Sequence, residues 1–236
     1  MSAETITIYP YEPFDIDYGM TVLNLQCKEE YSTLLFKLNQ LKKHETFVDD
    51  VDQYIHFYVD EKDNLKSSLK QVAMIGDLTS FEINSTSNLK AVLEKIVADN
   101  QIINRDKIDN LNKEINELIF DSINGYDETF EYELLPELAK LLKSKNFKID
   151  TGDWQNYYDK LQSVVKFYVE FSDKRLLLFH GLERLCSLEQ INYLNDYLKS
   201  IKLAVVSLES YPMTLRKLGL NTRVYSIDED HVRFNY

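Results

Sequence analysis

Two periodicities alternate along the 236-residue chain. TITIY and MTVLNL, with a Pro- and Tyr-bearing turn between them, read as two short strands. KEEYSTLLFKLNQLKKH then spaces Tyr31, Leu34, Leu35, Leu38 and Leu41 as one helix face. YIHFYVD alternates like a strand, DEKDNLK is a polar turn, and QVAMIGD is a short apolar run that reads as a central strand. From SFEINSTSNLKAVLEKI onward the period is helical. Asn84, Ser85, Thr86 and Ser87 offer N-caps, followed by an apolar face of Leu89, Val92, Leu93 and Ile96. A second face carries Ile108, Leu111, Ile115, Leu118 and Ile119. LLPELAKLLKS is a shorter helix with Pro136 tolerable only near its first turn, and NFKIDT a brief extended piece. WQNYYDKLQSVVKFYVEFS is helical again through Trp154, Tyr158, Leu161, Val165 and Tyr168. Strand character returns in RLLLFH and KLAVVSLES, joined by a helix over residues 187–200. Such apolar runs joined by a helix predict parallel strands buried on both faces. TRVYSID and HVRFNY would add edge strands.

The predicted class is α/β. A head with a partly parallel sheet is built from residues 1–87 and 173–236, and an all-helical leg at residues 88–172 interrupts it. An apolar content of 44% suffices for a packed core, while six glycines and four prolines disfavour many-turned β folds and phosphate-cradling loops. No apolar run approaches the roughly 18–20 residues that cross a bilayer. MSAETITIYPYEP has neither a basic segment nor a signal core, and Cys27 and Cys186 lie far apart in sequence, so a reducing cytoplasm is expected. Both cysteines read as packing residues.

KRLLLFHGLERLCSLEQINYLNDYLK has the strand–loop–helix form that many nucleotide-binding proteins use to present an acid to magnesium. Here the strand ends in Phe179-His180-Gly181 instead, and no GxxxxGK[ST] string exists to approach and neutralise phosphates. His44, His56, His180 and His231 show no HxxxH or HExxH spacing, and there is no G-x-S-x-G elbow. The unit reads as a scaffold rather than an enzyme.

EINELIFDSINGYDETFEYELLPE holds eight carboxylates and no lysine or arginine. Asp127, Glu128, Glu131 and Glu133 crowd together, with Asp121 just before Asn124-Gly125. Calcium takes several oxygen ligands at roughly 2.3–2.6 Å, which such a cluster supplies, although the register is not that of an EF-hand. An acidic solvent-facing helix turn, or salt bridging to a neighbouring subunit, accounts for the same residues. Basic counterparts are Lys42 and Lys43, Lys66 and Lys70, and Lys143, Lys145 and Lys148. A formal net charge of −12 repels nucleic acid unless basic residues are segregated or cations intervene.

EPFDIDYGMTVLNLQ, QVAMIGDLTSFEINSTSNLKAVLEKI and KRLLLFHGLERLCSLEQINYLNDYLKSIKLAVVSLES, in that order, resemble the accessory adaptation protein of type II-A CRISPR systems over almost the whole chain. The resemblance implies an α/β head related to nucleotide-binding folds without a working phosphate loop, and an inserted helical leg. It also implies a ring-shaped homotetramer that binds calcium and holds linear double-stranded DNA through lysines lining its hole. Its implied partners are the integrase complex and the RNA-guided nuclease, with no catalytic activity. FEYELL matches the family's acidic segment, placing Glu131 and Glu133 first as metal ligands, with Glu128 and Asp121 after them. Lys143 takes the place of a basic residue that follows. Asn124 and Gly125 break the family's acidic run. Two other classes fit the residues: an unusual nucleotide-binding enzyme, and a module that docks partner proteins without touching DNA.

Overall fold

All seven residues of GMTVLNL are buried, so this strand has no solvent-facing side. It is the third strand, β3 (Gly19–Leu25), in the computed structural model, which describes residues 4–43, 54–58, 69–134, 138–211 and 221–236. The chain divides into two units: one takes the chain up to Phe81 and from Asp153 onward, the other spans Glu82–Gly152.

In the first unit, β3 lies in a six-stranded sheet with β5 (Val72–Asp77), β6 (Leu176–His180), β7 (Ala204–Glu209), β8 (Arg223–Ile227) and β9 (Arg233–Asn235). The order is β5-β6-β7-β3-β8-β9, and every pairing is parallel except that of β8 with β9. A separate antiparallel sheet has the order β2-β1-β4, from β1 (Glu4–Ile8), β2 (Phe14–Ile16) and β4 (Ile55–Tyr58). Strand pleating sorts the core into two layers. Leu176, Leu178, Val206 and Leu208 point to one face, where they cluster with Leu34, Leu38 and Leu41 of α1 (Lys28–Lys43) and with the small sheet. Leu177, Phe179 and Val205 point to the other, against α5 (Tyr157–Phe171) and α6 (Leu188–Ile201).

Both helices begin as their sequences direct. Asn156 with Asp159, and Ser187 with Gln190, each form a reciprocal capping box that satisfies backbone donors at the helix start. The second unit holds α2 (Thr86–Ile103), α3 (Arg105–Ile123) and α4 (Leu138–Ser144). Ser85 caps α2 by accepting from the Asn88 N–H. No helix among the described residues is long and apolar enough to cross a membrane.

Three expectations change. QVAMIGD is an edge strand, with β6 its only described neighbour. TRVYSID is interior, between β3 and β9. TITIY and MTVLNL are strands as read, and they enter different sheets because FDI between them forms β2 and pairs back onto β1. NFKIDT has no described strand partner. The boundary expected near residue 172 falls at Gly152 instead: Leu161, Val164 and Val165 of α5 are fully buried in the head core.

The close approach of α6 to β3 requires glycine at position 19. Its φ is +111°, and an added Cβ would lie 2.5 Å from Asn195 Oδ1, the atom that accepts the Met20 N–H at 2.8 Å. Gly19→Ala combines left-handed strain with that collision, and should cost at least about 2 kcal/mol in urea unfolding. Gly125→Ala, with no neighbour within 4 Å of the new methyl, should stay within about 0.5 kcal/mol of the parent.

Candidate nucleic-acid interface and acidic segment

The lysines expected to meet DNA fall into separate groups. Lys143 lies in the last turn of α4, where a cation complements the negative end of the helix dipole. The helix ends at Ser144, and Asn146 follows with φ +52°, in the left-handed region that asparagine tolerates better than most residues. The chain is then held by one side chain. Asn84 Nδ2 donates to the Ile149 carbonyl at 2.9 Å, and the Ile149 N–H donates back to Asn84 Oδ1 at 2.9 Å. This clamp fixes the stretch after α4 next to the start of α2. Lys143, Lys145 and Lys148 project from it exposed, with no ion pair among the described residues. All three charges face solvent.

The remaining lysines belong to the first unit. Lys42 is exposed along its stem, but its amine donates to the Ile75 carbonyl at 3.0 Å, and burial of that amine lowers its pKa. Lys43 and Lys70 are exposed. Lys66 lies outside the described residues.

The acidic segment starts at the end of α3. Asp121 occupies the last turn, which contains no basic residue, so its charge adds to the negative end of the helix dipole. Beyond the cap residue Asn124 the chain is not helical, which corrects the reading of an acidic helix turn. Tyr126 and Phe130 meet edge to face at 6.0 Å, and Asn116 Nδ2 donates to the Leu134 carbonyl at 2.7 Å, tying the stretch to α3. Asp127, Glu128, Glu131 and Glu133 are all exposed. Glu133 accepts from Lys140 Nζ at 2.6 Å. Carboxylate oxygens are the right donors for calcium. Among the described residues, however, no three acidic, histidine or cysteine side chains of one chain converge into a cation cage.

Sequence periodicity misses one feature of this unit. It assigns Leu111 and Leu118 to the buried face of α3. They are 45% and 67% exposed, together with Phe120 at 58%, while Asn112 is buried. Tyr126, Phe130, Tyr132 and Leu134 add further exposed apolar surface. The polar Asn112 inside an apolar repeat is the one local signal of this reversal.

In the head, His180 is half-buried. Burial lowers its pKa, opposed by the carboxylate of Asp77. Cys27 and Cys186 are free, and burial pushes the Cys186 thiol up to about 11, which suits packing rather than reactivity.

The fold matches the crystal structure of Stu0660 of Streptococcus thermophilus with a TM-score of 0.57 and 16% identity, over 99% of this chain and 77% of that one. Two ATP-binding cassette structures match with TM-scores of 0.42 over 96% of this chain. They are the ADP conformation of MJ1267, at 11% identity and 87% of its length, and a putative ABC transporter ATP-binding protein from Pyrococcus furiosus, at 7% and 97%. No curated protein matches. The profile of the CRISPR-associated protein family Cas_Csn2 matches residues 49–231, well over half of the chain, and the chain belongs to that family.

Proposed function

We propose that the protein binds linear double-stranded DNA without reading its sequence, as a calcium-stabilised homotetrameric ring that serves spacer acquisition in the cytoplasm. Its partners there are the integrase complex and the RNA-guided nuclease, and it performs no catalysis itself. The observation that carries this reading is the run of Lys143, Lys145 and Lys148, exposed and without ion pairs among the described residues, on a stretch clamped by Asn84. On a held backbone only the lysine side chain remains to be ordered on a phosphate, and phosphate contacts carry no sequence information. Family membership supports the CRISPR context.

Assembly is supported by the apolar residues that α3 and the following stretch leave in solvent. Leu111 and Leu118, seven residues apart and so on one face of the helix, are what a second copy would cover. Calcium enters as part of the proposal only between copies, since the described carboxylates of one chain form no cage. Glu131, Glu133, Glu128, Asp121 and Asp127 are its candidate ligands. The rival reading is an interaction scaffold that touches only other proteins; the net charge of −12 favours it, and DNA binding decides between the two.

Three measurements test the proposal. Linear duplex should shift in a gel with calcium present, and the same plasmid as a closed circle should bind much more weakly; equal binding of both forms rules out threading. Replacing Lys143, Lys145 and Lys148 together by Gln should weaken binding to every duplex sequence alike. It should also flatten the plot of log affinity against log salt by about 0.9 for each phosphate that is no longer neutralised. Finally, Glu131→Gln with Glu133→Gln should remove any calcium dependence of the mass measured by light scattering. A mass that ignores calcium and chelator in the parent protein defeats the metal part of the proposal while leaving the lysine part to the gel shift.

A further inference from the structure

The first unit contains a second candidate site, unrelated to the lysines of the leg. A cavity of about 360 Å³ lies at the C-terminal ends of β5 and β6, beneath α1. That edge of a parallel sheet is where open α/β folds place ligands, and the volume is within the range of small-molecule sites, about 300–1,000 Å³.

Its construction is specific. The β5–β6 register shifts between Met74 and Gly76, so Ile75 has no partner on β6. Bulges of this kind re-aim backbone groups next to binding sites. Gly76, with φ +81°, carries the turn. Lys42 reaches in from α1 and donates to the Ile75 carbonyl at 3.0 Å. An ammonium has three donors, and this is the only acceptor Lys42 meets among the described residues.

The acid that lines the same cavity, Asp77, keeps its charge but turns one oxygen to a backbone donor rather than to Lys42. Asp77 accepts the Thr79 N–H at 2.8 Å. Although burial disfavours its charge, the bonds from Thr79 and the nearby His180 and Lys160 together hold its pKa low. Lys42 therefore faces the cavity as a cation without a carboxylate partner among the described residues. Asn39, Ser80 and His180 add polar groups to the lining, Leu35 and Met74 give an apolar floor, and Phe36 stands at the mouth 64% exposed.

The geometry points to a binding site for a small aromatic anion, its charged group on the Lys42 amine and its ring against Phe36 over the Leu35–Met74 floor. A cation with donors to spare selects the charge, and an uncovered aromatic ring beside an apolar floor selects the planar body. Two sources share this chemistry, simple aromatic acids and nucleotides. The cavity lacks the glycine-rich loop needed to cradle a polyphosphate, so a single anionic group is the better fit.

The test is titration of the full chain with 1-anilinonaphthalene-8-sulfonate, followed by fluorescence, and separately with AMP by calorimetry. Saturable binding of one or both is expected, AMP binding identifying the nucleotide source. Lys42→Met should weaken it about tenfold or more, the scale of one charge-assisted hydrogen bond. Lys28→Met, exposed on the same helix, should leave it unchanged. Phe36→Ala alters a side chain largely in solvent, so it tests the site without risking the fold, and should weaken binding several-fold. Absence of saturable binding by either probe, or affinity that ignores both Lys42→Met and Phe36→Ala, overturns the assignment.

Discussion

The head depends on covering both faces of one parallel sheet. β3, β6 and β7 have almost no exposed residue, so α1 on one face and α5 with α6 on the other must all be in place together. Apolar surface of this kind contributes roughly 25 cal/mol per Å² removed from water, and losing any one helix would return part of a sheet face to solvent. The double cover also dictates where polar groups can be. Inside it, Asn195 is fully buried and serves the backbone, accepting from the Met20 N–H and donating to the Asn221 carbonyl. Because that contact leaves no room for a Cβ, the position that opens β3 has to be glycine.

The same constraint explains which part of the strand ends is open. At the C-terminal ends of β3, β7 and β8 the polar side chains bond to one another. Asn24 donates to Ser226 Oγ at 2.9 Å and accepts the Tyr211 N–H at 3.0 Å. Ser207 donates to Glu209 at 2.6 Å, and the Glu183 N–H also meets that carboxylate. A phosphate loop would need backbone donors free after β3. Here the residues beside that strand end are committed to framework contacts, in agreement with the absence of a GxxxxGK[ST] string. Among the described residues, the edge stays accessible toward β5 and β6, where the register breaks.

How much of this is legible in the sequence follows from which signals are local. The β6–α6–β7 unit is clear, because long apolar strands and a Ser187–Gln190 capping box are local features. Helix α5 is equally plain as a helix, yet the sequence pattern assigns it to the leg, since the spacing of Leu161 and Val165 says that a face is buried and not in which core. The apolar composition of QVAMIGD suggests the middle of a sheet. Edge position depends on what pairs beside a strand, which the strand itself does not encode. The acidic segment is visible by composition alone, and its departure from helix after Asn124 has only the Asn-Gly pair as a signal. The lysines are individually visible, but the Asn84 clamp that fixes three of them depends on a contact 65 residues away in sequence.

Helix α3 carries an arrangement opposite to that of the head. Its Asn112 is buried with Oδ1 lacking a hydrogen-bond partner, whereas Leu118 and Phe120 remain in water. A buried unsatisfied acceptor costs about 1–3 kcal/mol, and each exposed large apolar side chain forgoes stabilisation of similar size. Beside β3, by contrast, Asn195 and Asn24 have their bonds made and the leucines of α1 and α6 are covered, although Gln71 and Thr222 of the head also keep a buried side-chain oxygen without a partner among the described residues. Covering Leu111 and Leu118, on one face of the helix, against a second copy would remove that part of the apolar cost. The surplus apolar surface and the exposed lysine run thus fall in the same unit, the one whose surface is least complete in a single chain.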